Sequence, residues 1–119
     1  VEIFLSCCDK KLNKIDIKWK KKKSICVVLC SKGYPENYRK NTLIQNIDKL
    51  SLDEENLCFH AGTIKKDNKI FANGGRVLNF VSLSDDLLKA RNSIIDNIQT
   101  LKWKDGFFRK DIGYKVIDQ

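Results

Sequence analysis

Two short stretches carry cations beside residues that would let an anion come close. Residues 73–76 read Asn-Gly-Gly-Arg, and residues 109–110 read Arg-Lys. An arginine fork suits phosphate or carboxylate because it donates two parallel hydrogen bonds, and glycine lets a ligand approach bare backbone. If the two stretches fold together around one anion-sized hollow, they form a substrate site. The candidate ligand-contacting residues are Asn73, Gly74, Gly75, Arg76, Arg109 and Lys110.

Each stretch also has a simpler interpretation. Asn-Gly-Gly is a strong hairpin signal, so Arg76 could be a solvated arginine at the tip of a plain surface hairpin. Arg109 and Lys110 could likewise be ordinary surface charge. Short motifs alone do not decide between these alternatives and ligand binding.

The elements around the first stretch are predicted to be strands. The hairpin signal at 73–75 joins a strand over Lys69–Ala72 to a longer return strand over Arg76–Ser84. The continuous apolar run Ser24–Ser31 predicts a central strand that is buried on both faces. Residues 64–68 are predicted to form a charged turn. Further extended segments are predicted over 15–19, 42–44, 56–63 and 116–117.

After the return strand, the apolar period changes from two residues to three and four. Leu87, Ala90, Ile94 and Ile98 follow this spacing and predict an amphipathic helix over Asp86–Leu101. Acidic residues at its start are suited to cap it, because the positive end of the helix dipole lies there.

The predicted fold class is α+β, with a mostly antiparallel sheet and one long C-terminal amphipathic helix. A length of 119 residues predicts a single domain over 1–119. Val1–Cys8 has helical spacing and is interpreted as the last turns of a helix. The lack of methionine and the apolar start predict that the sequence is a piece of a longer chain.

Composition narrows the possible function classes. The net charge is +8, and the densest basic run is 20–23. The other lysines are scattered and no nucleic-acid motif accompanies them, so we predict a solvated lysine-rich surface or a domain that handles phosphorylated small molecules. No apolar run approaches the roughly 18 residues of a membrane span.

The five cysteines and the single histidine do not form a recognisable metal or nucleophile motif. The odd number of cysteines and the lack of a CxxC pair disfavour a disulfide framework or a zinc site. We predict free, mostly buried thiols in a reducing cytoplasm. His60 is interpreted as a satisfied core histidine rather than a substrate contact. Acidic groups at 53–55 and 85–86 are interpreted as turn and cap residues rather than Mg²⁺ ligands.

Four motifs taken together resemble one enzyme family. They have the order and spacing of the C-terminal domain of phosphoribosylamine–glycine ligase, also called glycinamide ribonucleotide synthetase. The similarity covers essentially the whole chain. The motifs are Lys32-Gly33-Tyr34-Pro35 with Tyr38, Phe59-His60-Ala61-Gly62-Thr63, Asn73-Gly74-Gly75-Arg76-Val77-Leu78, and Arg109-Lys110-Asp111-Ile112-Gly113-Tyr114.

The resemblance implies an enzyme that joins glycine to 5-phosphoribosylamine in purine synthesis and splits ATP. Glycine would be phosphorylated on its carboxylate, and the amine of phosphoribosylamine would attack the acyl phosphate. ATP and Mg²⁺ or Mn²⁺ would bind an upstream ATP-grasp domain, to which residues 1–9 would lead as the end of a linking helix. We expect this chain alone to be inactive, without a cofactor or metal of its own.

The resemblance also implies a place for the cations. Related ATP-grasp enzymes of purine synthesis hold a ribose phosphate with a basic pair near the C-terminus, which Arg109 and Lys110 match by analogy. The chain would form one wall of the substrate cleft in a cytoplasmic enzyme, with no nucleic-acid or membrane partner. Two alternatives remain open: a small basic nucleic-acid-binding module, which would bind oligonucleotides salt-sensitively, and a purely structural packing domain.

Overall fold

A computed structural model describes residues 1–117. In this part of the chain seven strands form two antiparallel sheets, and one long helix packs against the larger sheet. The main sheet has the strand order β3-β6-β1-β7, and the small sheet has the order β2-β5-β4. Short 3₁₀ turns lie at Leu12–Lys14 and Ile47–Lys49. The strands are β1 (Lys23–Ser31), β2 (Thr42–Ile44), β3 (Asn56–His60), β4 (Thr63–Lys66), β5 (Lys69–Ala72), β6 (Arg76–Ser84) and β7 (Gly106–Phe107). The helices are α1 (Glu2–Cys8), α2 (Leu87–Thr100) and α3 (Tyr114–Ile117).

One core is shared by the two sheets and α2. The helix lies against β1 and β6, because its apolar residues recur at three and four and so face one side. The small sheet adds Ile44 and Ala72 to the same cluster. Trp103, which follows α2, closes the core, and its indole nitrogen donates to the hydroxyl of Thr42 at 2.9 Å. The buried apolar residues are Ile25, Val27, Leu29, Ile44, Ala72, Val77, Leu78, Phe80, Ala90, Ile94, Ile98 and Trp103.

The predicted mixed α/β class with antiparallel sheets is confirmed, but the long helix is not C-terminal. Helix α2 matches the predicted 86–101 segment closely, yet the chain continues after it with β7 and α3. The extended end predicted at 116–117 is therefore wrong, because these residues form the last turn of a helix. The strand predicted at 15–19 is also wrong, since this segment pairs with no neighbour among residues 1–117.

The predicted hairpin at 73–75 is wrong as well. Strand β5 pairs with β2 and β4, whereas β6 pairs with β1 and β3, so 73–75 crosses from one sheet to the other. The true hairpin joins β4 to β5 through Asp67 and Asn68, within the predicted charged turn. Both residues have positive φ, +49° and +57°, which is the geometry of the type I′ turn that two-residue hairpins prefer.

Strand β1 is interior to the sheet as predicted, but it is buried on one face instead of two. It lies between β6 and β7 in the strand order. Ile25, Val27 and Leu29 are buried against α2, while the alternate residues are exposed or half-buried. The alternation follows from the pleat, which directs successive side chains to opposite faces.

Asp86 is the N-cap of α2, and it makes the helix sensitive to acid. Its carboxylate accepts hydrogen bonds from the backbone nitrogens of Leu88 (2.7 Å) and Lys89 (3.1 Å), and these bonds lower the pKa of Asp86. Because the folded-state pKa is lowered, the stabilisation is present at neutral pH and is lost as the pH falls through that pKa.

We expect Asp86→Asn to flatten the acid limb of the stability profile. Asparagine caps about as well as aspartate but does not titrate, so the melting temperature at pH 7 should barely change. Between about pH 5 and about pH 2 the variant should lose less stability than the parent chain. Thermal melts followed by circular dichroism across this range test the expectation, and parallel profiles would contradict it.

Candidate functional site

The crossing at residues 73–75 is held rigidly by hydrogen bonds from both sides. The carbonyl of Gly62 accepts from the backbone nitrogens of Asn73 (2.8 Å) and Gly74 (3.0 Å). On the other side, Ser31 donates its backbone nitrogen to the carbonyl of Gly75 and its hydroxyl to the carbonyl of Gly74, both at 2.8 Å. These bonds fix the crossing, since each backbone polar group they involve is satisfied.

The glycines of the crossing are required by close approach rather than by positive φ. Among glycines of residues 1–117, only Gly33 and Gly113 have positive φ. A Cβ on Gly62 would lie 2.8 Å from the Cα of Gly74, and a Cβ on Gly75 would lie 2.0 Å from Cδ2 of Tyr34. The absence of side chains therefore lets two backbone segments and one aromatic ring meet.

The Tyr34 loop thus packs against the crossing, and a glycine shapes it too. Gly33 has φ +94°, and a Cβ there would fall 2.0 Å from the carbonyl oxygen of Asn37. The rings of Tyr34 and Tyr38 meet edge to face with centroids 6.1 Å apart, an arrangement that aromatic pairs prefer. Two motifs separated by almost 40 residues in the sequence therefore form one surface. Beside it lies a concavity of about 400 Å³, lined by Ser31, Lys32, Asn37, Tyr38, Arg39 and Asp105.

Arg76 begins β6 and is exposed on the face of the main sheet opposite to α2. It pairs with Cys30 across the ladder, just beyond a register irregularity at Leu29 that leaves Val77 and Leu78 both buried. Burial raises the pKa of the Cys30 thiol, and the nearby Arg76 guanidinium opposes this shift. None of the three salt bridges within residues 1–117 involves Arg76.

Arg109 is occupied by an ion pair with its neighbour. Its Nε donates to Oδ1 of Asp111 at 3.0 Å and its Nη2 donates to Oδ2 at 2.5 Å. The pair raises the pKa of Arg109 and lowers that of Asp111. Both side chains are largely exposed, so solvent screens the attraction strongly.

The segment after Arg109 lies on the α2 side of the main sheet. The guanidinium of Arg91, on α2, donates to the carbonyls of Lys110 (2.5 Å) and Ile112 (3.1 Å). A Cβ on Gly113 would lie 2.8 Å from Cδ1 of Ile25, which faces α2. The segment is therefore fixed by the helix.

Four of the six predicted residues form one unit, and the other two belong to a different segment of the chain. Residues 73–76 form one rigid unit, which Tyr34 and Ser31 support. Arg76 faces away from α2, whereas Arg109 and Lys110 belong to a segment on the α2 side. The single hollow shared by all three cations stays a prediction. Gly62 and Ser31 were missed because a backbone clamp leaves no local pattern in the sequence.

The structure also places the single histidine and the five cysteines. His60 is exposed, contrary to the core prediction, and its Nδ1 lies 2.9 Å from the hydroxyl of Thr63. All five cysteines are free, but three are exposed and two half-buried, so the prediction of mostly buried thiols is wrong. Within residues 1–117, no three His, Cys, Asp or Glu side chains are grouped to hold a metal ion. No helix in this part of the chain combines the length and apolar character needed to cross a membrane.

The fold and the site define a small α+β domain that presents a rigid loop ending in an arginine. A family model described as phosphoribosylglycinamide synthetase, C domain, matches residues 24–115. The chain therefore belongs to the phosphoribosylglycinamide synthetase C-domain family.

Similar proteins carry the corresponding enzyme name. Phosphoribosylamine–glycine ligase of Fusobacterium nucleatum is 38% identical over 95% of this chain and 27% of its own length. The ligase of Agrobacterium fabrum is 42% identical over 89% of this chain and 25% of its own length. The crystal structure of the Thermotoga maritima ligase matches with a TM-score of 0.70 and 27% identity, over 94% of this chain and 28% of that one. The chain thus spans about a quarter of the length of these relatives.

Proposed function

We propose that this chain acts as the C-terminal, substrate-facing domain of an ATP-dependent ligase that joins glycine to 5-phosphoribosylamine. The observation that supports this role best is the clamped crossing at 73–75, which ends in the exposed Arg76. A cation held on a rigid element can orient a substrate phosphate with little loss of entropy on binding. Phosphoribosylamine carries such a phosphate.

Asn73, Gly74, Gly75 and Arg76 would together form the substrate contact. The guanidinium of Arg76 can bind two phosphate oxygens at once, and the glycines expose backbone beside it. Arg76 has no carboxylate partner among residues 1–117. It therefore offers a positive charge that a substrate anion could neutralise.

Arg109 and Lys110 would form a second, separate contact to the substrate. The backbone of this segment is bonded to Arg91 of α2, whereas Arg76 lies on the face of the main sheet opposite to α2, so we treat the two contacts as separate. The Arg109–Asp111 ion pair and the bonds from Arg91 favour a structural role for this segment as the alternative.

The remaining chemistry is assigned to other parts of the full-length enzyme. We propose that ATP and Mg²⁺ or Mn²⁺ bind an upstream ATP-grasp domain, where they would support formation of the glycyl phosphate. Residues 1–9 would lead to that domain. This agrees with the exposure of α1, in which no residue is buried and Phe4 is 76% exposed. The chain alone would then be inactive, and the full enzyme would work in the cytoplasm.

In the full-length enzyme, Arg76→Ala is expected to raise the KM for phosphoribosylamine roughly tenfold to hundredfold. A hydrogen bond to a charged group contributes about 1.5–3 kcal/mol, and each 1.4 kcal/mol or so corresponds to about tenfold in affinity. The KM for ATP should stay near normal. Steady-state kinetics with each substrate varied in turn test this, and an unchanged KM for phosphoribosylamine would remove Arg76 from the site.

Arg109→Ala is the matched comparison. Its guanidinium is already paired with Asp111, so the KM for phosphoribosylamine should rise less than in Arg76→Ala. A larger rise in the KM than in Arg76→Ala would assign the main phosphate contact to Arg109 instead of Arg76.

A further inference from the structure

The ring of Tyr34 covers the residue that directly precedes Arg76. A Cβ on Gly75 would lie 2.0, 2.5 and 3.0 Å from three carbons of that ring, Cδ2, Cε2 and Cγ. The ring therefore occupies the space that a side chain at position 75 would take. Gly75 is buried and Tyr34 is half-buried, so the ring shields this part of the crossing from solvent.

Ser31 connects Tyr34 to the crossing through three hydrogen bonds. Its carbonyl accepts from the backbone nitrogen of Tyr34 at 3.0 Å. Its own backbone nitrogen and its hydroxyl donate to the carbonyls of Gly75 and Gly74, both at 2.8 Å. Ser31 is 1% exposed, and hydrogen bonds are stronger away from water. One buried residue therefore sets the positions of the ring and of the crossing together.

The backbone of Arg76 is fixed on both sides. Before it, Gly75 is held by the ring and by the bond from Ser31. After it, the carbonyl of Val77 accepts from the backbone nitrogen of Ala61 at 3.0 Å. With the backbone fixed in this way, the guanidinium of Arg76 moves mainly by rotation of its own side chain.

The ring compensates for the freedom of the two glycines. Glycine has more backbone freedom than any other residue, so a Gly-Gly pair directly before Arg76 would by itself let the arginine change direction. A larger residue at position 75 would restrict the chain, but the close approach to Tyr34 excludes it. The restriction is therefore supplied by a side chain from another part of the sequence.

We propose that Tyr34 is a positioning residue for the substrate contact. Its ring holds Gly75 in place and thereby fixes the direction in which Arg76 meets the phosphate of phosphoribosylamine. A cation that is ordered before the substrate arrives loses less entropy on binding. This role rests on the proposed function, because it takes Arg76 as the phosphate contact.

Tyr38 offers a matched control from the same loop. Its ring meets that of Tyr34 edge to face, with centroids 6.1 Å apart. The three atoms nearest to a Cβ on Gly75 all belong to Tyr34. Tyr38 therefore supports the ring that holds the crossing, and it acts one step further from Arg76.

Steady-state kinetics of the full-length enzyme test the proposal. Tyr34→Ala should raise the KM for phosphoribosylamine roughly threefold to tenfold, because the arginine is still present but less well ordered. The KM for ATP should stay near normal. Tyr34→Phe keeps the ring and should restore the KM, and Tyr38→Ala should raise it less than Tyr34→Ala. A residue that only stabilises the fold would reduce the amount of active enzyme, and so the apparent kcat, without changing this KM.

A double-mutant cycle shows whether Tyr34 acts through Arg76. In the Arg76→Ala background, Tyr34→Ala should change the KM for phosphoribosylamine by less than about twofold, because the group that the ring positions has been removed. A further rise as large as in the parent enzyme means that Tyr34 acts through another group. That result would overturn the proposal, as would equal rises in Tyr34→Ala and Tyr38→Ala.

Hydrogen exchange tests the contact without reference to the substrate. The amide of Ser31 donates to the carbonyl of Gly75. In Tyr34→Ala it should exchange roughly tenfold or more faster, because the crossing opens more readily. The amide of Leu83 donates to the carbonyl of Glu55 at the far end of β6 and should exchange at the parent rate. Mass spectrometry with single-residue resolution measures both, and unchanged exchange at Ser31 would show that the ring does not hold the crossing.

Tyr34→Leu decides if Tyr34→Ala does not fold. Leucine retains apolar volume but lacks the flat face that lies on Gly75, so a raised KM for phosphoribosylamine supports the proposal and a parental KM overturns it. Arg76→Ala separates this proposal from the proposed function. A raised KM in Arg76→Ala with a parental KM in both Tyr34 variants removes only the positioning role. An unchanged KM in Arg76→Ala removes the substrate contact and this role of Tyr34 with it.

Discussion

Replacing Phe80 with alanine is expected to lower the free energy of unfolding by about 3–5 kcal/mol. Phe80 is 1% exposed and lies opposite Val27 and Cys58 in the centre of the main sheet. Its ring fills the layer between the sheet and α2, where Ile94 is also buried. The substitution removes apolar contacts and leaves a cavity. The cavity cannot collapse, because β6 is paired with a strand on each side and cannot move inward.

Phe59→Ala in the 119-residue chain is the matched control. Phe59 is 52% exposed on the face of the main sheet opposite to α2, so its loss should change the free energy of unfolding by less than about 1 kcal/mol. Urea unfolding followed by circular dichroism gives both values, with the slope of each transition checked against the parent. If the two losses were equal, the assignment of faces in the main sheet would be incorrect.

Gly62→Ala should destabilise the domain by about 3 kcal/mol, near the upper end of the range for overpacking. The new Cβ would lie 2.5 Å from the carbonyl oxygen of Arg76 and 2.8 Å from the Cα of Gly74. Both neighbours are backbone atoms, so no side chain can rotate away. The crossing must shift, and under the proposed function the KM of the full-length ligase for phosphoribosylamine should rise with it.

Asn73→Ala separates the clash from general sensitivity of the crossing. Asn73 is exposed, and its backbone bond to Gly62 survives the substitution, so its stability should stay within about 0.5 kcal/mol of the parent. Thermal or urea unfolding of both variants measures the two losses of stability and distinguishes a local clash from general sensitivity of the crossing. A stable Gly62→Ala would show that the two backbone segments are not in contact.

The elements that follow from local periodicity were predictable from the sequence. Helix α2 has repeated three- and four-residue apolar spacing and an aspartate cap, and both signals lie within the segment itself. Strand β1 was predicted from its continuous apolar run, a signal that also lies within the segment itself. The segment 15–19 has the right alternation, but a strand also needs a neighbour to pair with, and no local pattern shows whether one exists.

The pairing of β5 and β6 was not predictable in this way. Asn73-Gly74-Gly75 has the residues of a hairpin turn, yet the chain crosses between sheets there, because Gly62 and Ser31 hold it from both sides. These partners come from distant parts of the sequence. The position of Arg109 relative to Arg76 depends likewise on α2, whose Arg91 fixes the C-terminal segment.

The register irregularity between β1 and β6 determines which side chains of β6 face the core and which face outward. With regular pairing, Val77 would lie opposite Cys30, and Arg76 would be directed toward the core beside Ser31. The single additional residue shifts the phase of the strand by half a period. The same strand thereby contributes core side chains along its length and an outward charge at its first position, and deleting that residue would turn the cation inward.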